Sequence, residues 1–403
     1  MSQVVLKKCY QNFKIKELLL QSLEELGGIN KFISTDDSVL IKPNFVGDQP
    51  ASRGATTSLE IVRALCEIAL DYGATEVYIA ESPATCYTTK EIIKKLKILD
   101  ILKGIEDKVT FINLNEEENV EIEAKDNIFF KKIPIPKILT RVDRIWNVPK
   151  AKVHYVDRIT CAIKNYVAFL PNEFRLKVHQ TRLSHIVASL HKMLPETLVI
   201  TDALVVGEGE GPLNVRPVNF GYIIAADDPV ANDVVAGKLL GFDPEELEYT
   251  INAYNIGVGE ANLEKIILHG TTIEKIEEIK IHAKRPVMGI VGRYKPFNII
   301  LGGACSGCLT WFKGTLEGWI LDGSMKKLEK SGVRATVMIG FNAEDERFEE
   351  HLKEGPYFVI GDCAPEKYKN DPRVVEVRGC CPGHEIPNAL SQLLPKDNKE
   401  VES

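Results

Sequence analysis

The chain has 403 residues, of which 44% are hydrophobic and 27% charged. This composition is typical of a folded globular protein and excludes disordered, collagen-like and mucin-like chains. The 50 basic and 57 acidic residues give a net charge of −7, which argues against a broadly basic, nucleic-acid-binding surface. No apolar run approaches the ~20 residues of a membrane span, and the N-terminus lacks a signal-peptide pattern. We therefore expect a cytoplasmic protein with no nucleic-acid or membrane partner.

A short β-branched run, a polar turn and a helical pattern recur along the first 290 residues. Strands are predicted at 38–41, 76–80, 198–201 and 222–225, and helices at 58–72 and 228–240. This alternation indicates an α/β fold with crossover connections and a mostly parallel, Rossmann-like sheet. Ligands of such sheets bind at the carboxyl ends of the strands. We therefore expect the residues that follow the strands to carry the chemistry.

A domain boundary is predicted near residue 290. The segment Gly292–Pro296 has the composition of a linker, and a new strand pattern starts at Phe297. About a hundred residues follow, which is enough for a small domain. The sequence thus predicts a large α/β domain at 1–290 and a smaller, cysteine-rich α/β domain at 291–403.

Five of the nine cysteines lie in the predicted C-terminal domain. Four strands are predicted there, at 297–301, 335–340, 357–361 and 374–377. The cysteines follow three of them, at Cys305 and Cys308, at Cys363, and at Cys380 and Cys381. If these strands are parallel, all five thiols reach the same edge of the sheet. In a cytoplasmic chain with an odd number of cysteines, this grouping does not indicate a disulfide framework.

The cofactor that this cysteine pattern favours is an iron–sulfur cluster of the [4Fe–4S] type. A cubane needs four surrounding thiolates, and a CxxC turn supplies two of them. We predict Cys305, Cys308, Cys363 and Cys381 as ligands because Pro382 restricts the residue before it. The choice of Cys381 over Cys380 stays open. Zinc, a redox disulfide and simple burial of the cysteines are the alternatives.

The large domain carries three lysines in a mostly apolar stretch between residues 146 and 165. Buried lysines are rare unless they pair with an anion, so the stretch predicts a pocket for a carboxylate or phosphate. Catalytic roles are predicted for Lys152, His154 and Lys164, with His154 as acid/base or metal ligand. Lys150 and Asn165 are predicted to bind substrate. A solvated basic face with a core histidine is the alternative.

Three more residues are predicted to bind the anionic substrate. Lys42 and Asn44 follow the first strong strand, and Asp233 lies one turn inside a helix that starts after Asp228. We expect Asp233 to face one of the lysines, and Asp228 to cap the helix. The glycine-rich acidic segment 207–212 is predicted to be a flexible loop.

Several short segments together resemble the family catalogued as domain of unknown function 362, over roughly residues 35–270. They are KPN at 42–44, NVPKAKVH at 147–154, TCAIKN at 160–165, EGEGP at 208–212 and DDPVAND at 227–233. Members of this family often carry cysteine clusters or ferredoxin-like modules, which agrees with the C-terminal cysteines.

The spacing of His154 and Lys164 is also similar to the His/Lys segment of the nickel-pincer lactate racemase family. In that family a lysine tethers a nickel cofactor, and histidines ligate the metal or move protons. The similarity implies a small substrate like a 2-hydroxy acid. The glycines that precede the lysine in that family are replaced here by Ala162 and Ile163.

The function that the sequence predicts is an iron–sulfur enzyme that acts on a small anionic molecule. The cluster would supply electrons or Lewis acidity, and an electron-transfer partner is a further expectation. Two alternatives stay open. One is a racemase- or isomerase-like enzyme with a nickel cofactor, and the other is a non-enzymatic iron–sulfur electron carrier or redox-responsive binding protein.

Overall fold

A computed structural model describes the chain except for residues 11–13, 85, 86, 125, 126, 128, 156, 180–182, 287–289, 305, 380, 381 and 396–403. The chain forms two compact units. The large unit comprises Met1–Val178 and Arg182–Pro286, and the small unit comprises Val287–Ser403 together with His179–Thr181. None of the helices formed by the described residues has the length and apolar character that crossing a membrane requires.

The large unit is built from twelve strands and nine α-helices among its described residues. The strands are β1 (Gln3–Lys8), β2 (Ser38–Pro43), β3 (Glu76–Glu81), β4 (Val109–Asn113), β5 (Asn119–Glu123), β6 (Lys132–Pro136), β7 (Arg144–Val148), β8 (Lys150–His154), β9 (Arg158–Thr160), β10 (Glu196–Glu210), β11 (Asn214–Ala226) and β12 (Ile267–His269). The helices are α1 (Ile15–Glu25), α2 (Leu59–Asp71), α3 (Thr89–Leu96), α4 (Ala162–Asn165), α5 (Asn172–His179), α6 (Leu183–Met193), α7 (Pro229–Leu240), α8 (Glu248–Asn255) and α9 (Ile273–Ile279).

The main sheet of this unit has ten strands and confirms the predicted Rossmann-like α/β fold. Its order is β12-β1-β11-β10-β7-β2-β3-β4, with β8 paired to β10 and β9 paired to β8. The pairs β10–β7, β7–β2, β2–β3 and β3–β4 are parallel. Strand β11 is antiparallel to both β1 and β10, so the sheet is mixed on that side. The carboxyl ends of β3, β2 and β7 meet at one edge, where β8 begins.

Alternating side chains of the strands fill a separate core on each face of the sheet. In β2, Val39 and Ile41 pack with apolar residues of α1 and α2, whereas Leu40 packs with those of α6. This alternation follows from the pleat of a strand that is covered by helices on both faces. Packing against two layers thus fixes the register of β2 and the direction in which its last residues point.

Both predicted helices are present in the large unit. Helix α2 begins after Ser58, and α7 begins after Asp228 with Pro229 as its first residue. The Asp228 carboxylate accepts hydrogen bonds from the amides of Val230 (2.7 Å) and Ala231 (3.1 Å). The prediction that Asp228 caps this helix is therefore confirmed.

The prediction of a flexible loop at 207–212 is wrong. Residues Gly207–Glu210 are the end of β10, and they pair in antiparallel register with the start of β11. A glycine-rich composition normally indicates a turn. Here the glycine serves close packing, because a Cβ atom at Gly207 would lie 2.6 Å from the carbonyl oxygen of Gly54.

Gly211 lies where the chain leaves β10 and passes directly against β8. Its carbonyl accepts a hydrogen bond from the Tyr155 amide (3.0 Å), and a Cβ atom there would lie 1.9 Å from the Val153 carbonyl oxygen. Because Gly211→Ala must displace β8, we expect it to lower the free energy of unfolding by about 1–3 kcal/mol. Urea denaturation checks this, with Gly314→Ala as the control, since nothing lies within 4 Å of that Cβ. Equal stability of the two variants would contradict the prediction.

The small unit has a four-stranded parallel sheet in the order β13-β14-β15-β16. Its strands are β13 (Phe297–Leu301), β14 (Ala335–Ile339), β15 (Tyr357–Ile360) and β16 (Val374–Val377). Its helices are α10 (Ser306–Asp322), α11 (Ser324–Ser331), α12 (Phe348–Glu354), α13 (Glu366–Lys369) and α14 (Glu385–Ser391). All four strands are those predicted from the sequence.

The turns that follow these four strands are tied together at the carboxyl edge of the small sheet. The Asn342 amide donates to the Gly302 carbonyl (3.0 Å), which joins the turns after β13 and β14. The Asp362 amide donates to the Gly379 carbonyl (3.1 Å), which joins the turns after β15 and β16. The cysteine-bearing segments therefore start from one edge of the sheet.

Candidate functional site

Lys42 and Glu81 form a buried ion pair at the ends of the neighbouring strands β2 and β3. Lys42 Nζ lies 2.8 Å from Glu81 Oε1, and the two side chains are 0% and 3% exposed. The Glu81 carboxylate also accepts the amides of Ser82 (2.8 Å) and Phe45 (2.6 Å). Burial lowers the pKa of Lys42, and Glu81 partly offsets this effect. Sequence reasoning missed Glu81, although its position directly after a strand could have indicated it.

A second buried ion pair joins Lys150, the first residue of β8, to Asp202 of β10. The distance from Nζ to Oδ2 is 2.8 Å, and both side chains are excluded from solvent. The Asp202 carboxylate also accepts the amides of Ser58 (2.7 Å) and Leu204 (3.0 Å). Lys150 therefore has a counter-ion within the protein, and Asp202 is another functional neighbour that the sequence analysis did not single out.

Three asparagine side chains connect β2, β7 and α4. Asn165 Nδ2 donates to Asn147 Oδ1 (2.8 Å) and to the Lys42 carbonyl (2.9 Å). Asn44 Nδ2 donates to Asn165 Oδ1 (2.9 Å). The predicted residues Asn44 and Asn165 thus lie together, and Asn147 joins them. A buried amide that is bonded on several sides has little freedom to rotate, so this cluster fixes the position of α4 against the sheet.

Lys152 is fully buried between Lys150 and His154 on the same face of β8. Its Nζ donates to Asn44 Oδ1 (2.9 Å) and to the Ala55 carbonyl. Among the described residues, no carboxylate lies within ion-pair distance of this ammonium group. Burial lowers the pKa of Lys152 well below its usual range, and the charges of Lys150 and Lys164 lower it further. This environment favours either an uncharged amine or an added anion.

His154, Lys164 and Asp157 form the less buried edge of the site. Lys164 Nζ lies 2.8 Å from His154 Nε2 and also contacts the Asp157 carboxylate. His154 Nδ1 accepts the Asp157 amide (3.1 Å) and lies 3.1 Å from Asp157 Oδ2. Burial lowers the pKa of Lys164, and Asp157 partly offsets this. An amine and an imidazole in contact can exchange a proton, and the adjacent carboxylate stabilises the cation that forms.

Asp233 does not face a lysine, contrary to the expectation from the sequence. Its carboxylate accepts the amides of Ala162 (2.7 Å) and Ile163 (3.0 Å) at the start of α4, and also Nδ2 of Asn232 (3.0 Å). Burial raises the pKa of Asp233 to about 6, although these hydrogen bonds oppose the shift. Asp233 therefore holds the short helix that carries Lys164.

The raised pKa of Asp233 predicts a pH-dependent stability. The folded chain binds this proton more tightly than the unfolded chain, so the free energy of unfolding falls as the pH rises from about 4 to about 6. Relative to Asp233→Asn, the natural protein should lose about 2 kcal/mol of stability between pH 4 and pH 7. Urea denaturation across this range measures the difference. The exposed substitution Asp107→Asn is the control, and parallel stability curves for natural protein and Asp233→Asn would contradict the prediction.

The site residues lie within a segment that known proteins share. Residues 39–238 match the family described as a domain of unknown function (DUF362). The segment 39–238 belongs to this family. A thylakoid-associated protein of Synechocystis sp., sll1697, is 25% identical to the chain over 228 residues, which cover 55% of this chain and 68% of that protein. The matched DUF362 segment contains every predicted site residue of the large unit.

The cysteines of the small unit lie outside the DUF362 match. Cys308 and Cys363 are described, and the other three predicted candidates, Cys305, Cys380 and Cys381, lie outside the described residues. A Cβ atom at Gly361 would lie 3.4 Å from the Cys308 sulfur and 3.7 Å from the Cys363 sulfur. The two sulfurs therefore face one space that a glycine keeps clear. Within the described part of the chain, no group of three or more Cys, His, Asp or Glu side chains is arranged to hold a metal ion.

Proposed function

We propose that the DUF362 unit is an enzyme that binds a small carboxylate or phosphate and transfers a proton through His154 and Lys164. The observation that carries this proposal is the 2.8 Å contact between Lys164 Nζ and His154 Nε2. This contact lies at an edge of the site where the side chains of Lys164 and Asp157 are 10% and 16% exposed to solvent. Lys152, in contrast, is fully buried. A ligand can approach this edge while the buried amine attracts its charge.

Each residue of the pair has a distinct part in the proposed chemistry. The anionic group of the substrate is held by Lys152, and the reacting atom faces the imidazole. The free amine of Lys164 accepts the proton of that atom. His154 Nε2 carries a hydrogen, because Nδ1 accepts the Asp157 amide, and it donates a proton to the atom that becomes basic. Asp157 stabilises the cation on either group. Asn44 and Asn165 hold Lys152 and α4 in position, so this set supports isomerase, lyase or oxidoreductase chemistry with a proton-transfer step.

Exchange of substrate hydrogen with solvent tests the proposed proton transfer. The full-length protein is incubated in deuterium oxide with a panel of 2-hydroxy acids, dicarboxylates and phosphate monoesters. Proton NMR then follows the loss of each carbon-bound hydrogen. We expect at least one member of the panel to exchange in the presence of the protein. If no compound of the panel exchanged hydrogen although one of them bound, the result would favour the non-enzymatic alternative of a binding protein.

We further propose that the small unit binds a [4Fe–4S] cluster through Cys305, Cys308, Cys363 and Cys381. Two findings support this: the shared edge of the four strand ends, and the cleared space at Gly361 in front of two cysteine sulfurs. Such a cluster supplies one-electron chemistry, with an electron-transfer partner as its natural counterpart. A cytoplasmic location belongs to this proposal because a reducing compartment keeps cysteines available as ligands.

Metal and sulfide analysis of anaerobically purified protein tests the cluster. We expect roughly four irons and four sulfides per chain, as a cubane requires, and an absorption band that dithionite bleaches. Zinc alone would overturn the cluster and make the small unit a structural zinc domain. Nickel in the large unit would instead favour the racemase-like alternative. Cell fractionation tests the location, and recovery with membranes would contradict it.

A further inference from the structure

Two of the five buried or largely buried cations at one edge of the large unit's sheet have no carboxylate partner among the described residues. Five cationic side chains lie at the carboxyl edge of the sheet: Lys42, Lys150, Lys152, Lys164 and Arg175. They face three carboxylates that are buried or largely buried: Glu81, Asp157 and Asp202. We propose that the ligand of this site is a dianion, a small molecule that carries two negative charges on one phosphate or on two carboxylates. This inference rests on the proposed function and specifies its substrate class.

Arg175 is the first of the two cations without a carboxylate partner. Its guanidinium donates to the Pro83 carbonyl (3.0 Å), the Ser82 hydroxyl (2.6 Å) and the Leu170 carbonyl (3.1 Å), which are all neutral groups. The side chain is buried, and its Nε has no hydrogen-bond partner. The carboxylate of Glu81 acts on Arg175 through space but is already bonded to Lys42. A buried guanidinium with only neutral partners is costly unless an anion joins it.

Lys152 is the second cation without a carboxylate partner. Both of its acceptors, Asn44 Oδ1 and the Ala55 carbonyl, are neutral. Glu81 acts on Lys152 as it does on Arg175, so this single carboxylate is shared among three cations. One added negative charge at each of Lys152 and Arg175 would give both cations a partner.

A second kind of observation at Lys152 also indicates a ligand. Thr160 of β9 lies directly across from Lys152 of β8 in the antiparallel pair, so both side chains lie on the same face. The Thr160 hydroxyl is buried and has no hydrogen-bond partner. Unsatisfied buried hydroxyls are rare in folded proteins, and each one calls for a partner. An anion oxygen bound to Lys152 Nζ would supply it.

Three other acidic groups near the site are not ion-pair partners of Lys152 or Arg175. Asp157 is bonded to Lys164, and Glu248, which also acts on Lys164, is exposed to solvent and accepts the Ser184 hydroxyl (2.7 Å). Asp233 directs its oxygens to backbone amides of α4. Lys152 and Arg175 therefore have no carboxylate partner among the described residues.

Isothermal titration calorimetry of the full-length protein at pH 7.5 and constant ionic strength tests the dianion. The probes are inorganic phosphate and malonate as dianions and acetate as the monoanion. We expect phosphate or malonate to bind at one site per chain, at least tenfold more tightly than acetate. The dianion that binds more tightly identifies a phosphate or a dicarboxylate ligand. Equal affinity for acetate, or no binding of either dianion at millimolar concentrations, would overturn the proposal.

Two variants connect the binding to the residues that predict it. Lys152→Met should weaken dianion binding at least tenfold, whereas the exposed Lys94→Met should not change it. Thr160→Val removes only an unpartnered hydroxyl, so it should fold normally and weaken the same binding severalfold. Unchanged affinity in a folded Thr160→Val protein would overturn the placement of the dianion beside Lys152. If the protein exchanged hydrogen on a monoanion but bound no dianion, the dianion inference alone would be refuted. If it bound a dianion tightly but exchanged no hydrogen, the proposed enzyme alone would be refuted.

Discussion

Glu81→Ala is expected to lower the free energy of unfolding by ~3–5 kcal/mol, because it breaks a buried ion pair from one side. The change leaves the Lys42 ammonium buried without its counter-ion at 2.8 Å. It also removes the hydrogen-bond acceptor of the Phe45 and Ser82 amides. Because these amides are buried, water cannot take the place of the carboxylate as their acceptor. Urea denaturation followed by circular dichroism measures the loss.

The matched control for this prediction lies in the same strand. Glu76 is the exposed first residue of β3, and Glu76→Ala should change stability by less than ~0.5 kcal/mol. The double variant Lys42→Met/Glu81→Met removes both charges and should recover part of the loss, since an apolar pair needs no solvation. If Glu81→Ala were as stable as Glu76→Ala, the described ion pair would not exist in solution.

Cys363→Ser and Cys308→Ser are each expected to remove most of the iron from the anaerobically purified protein. Both sulfurs face the space beside Gly361, and a serine hydroxyl is a poor substitute for a thiolate ligand. The visible absorption band and the iron and sulfide contents report the loss. Cys9→Ser, in the large unit, is the control and should retain them. Full iron content in Cys363→Ser would refute the proposed ligand set at that position.

The sequence predicts the backbone of the site well because local pattern determines it. The runs that form β2 and β3 are apolar and short, and the polar residue after each run lies at the carboxyl end of a strand. Parallel pairing then brings these ends to one edge, which explains why Lys42 lies close to Asn165, far along the chain. The same logic predicts the four parallel strands of the small unit.

Side-chain partners could not be predicted in the same way. Glu81 is 39 residues from Lys42, and Arg175 is 93 residues from Ser82, so only the tertiary register brings these pairs together. Asp233 shows the same limit. Its helix was predicted, but the direction of one side chain depends on where α4 packs, and it points to amides of that helix instead of a lysine.

The structure describes two of the five cysteines that the sequence analysis places in the small unit. Cys308 and Cys363 are placed by strands of the small sheet, and the structure shows their sulfurs facing one space. Cys305, Cys380 and Cys381 lie outside the described residues, so the fourfold ligand set stays a prediction from spacing. At Gly361, a side chain would fill the space beside the two described sulfurs.

The rate of hydrogen exchange in the Lys164→Met protein is the most direct test of the central claim, that His154 and Lys164 transfer a proton on a bound anion. Natural protein, Lys164→Met and the exposed control Lys94→Met are compared on one exchanging anion in deuterium oxide by proton NMR. We expect Lys164→Met to be at least ~100-fold slower than natural protein, because it lacks the general base, and Lys94→Met to be unchanged. Exchange by folded Lys164→Met at the natural rate would contradict it.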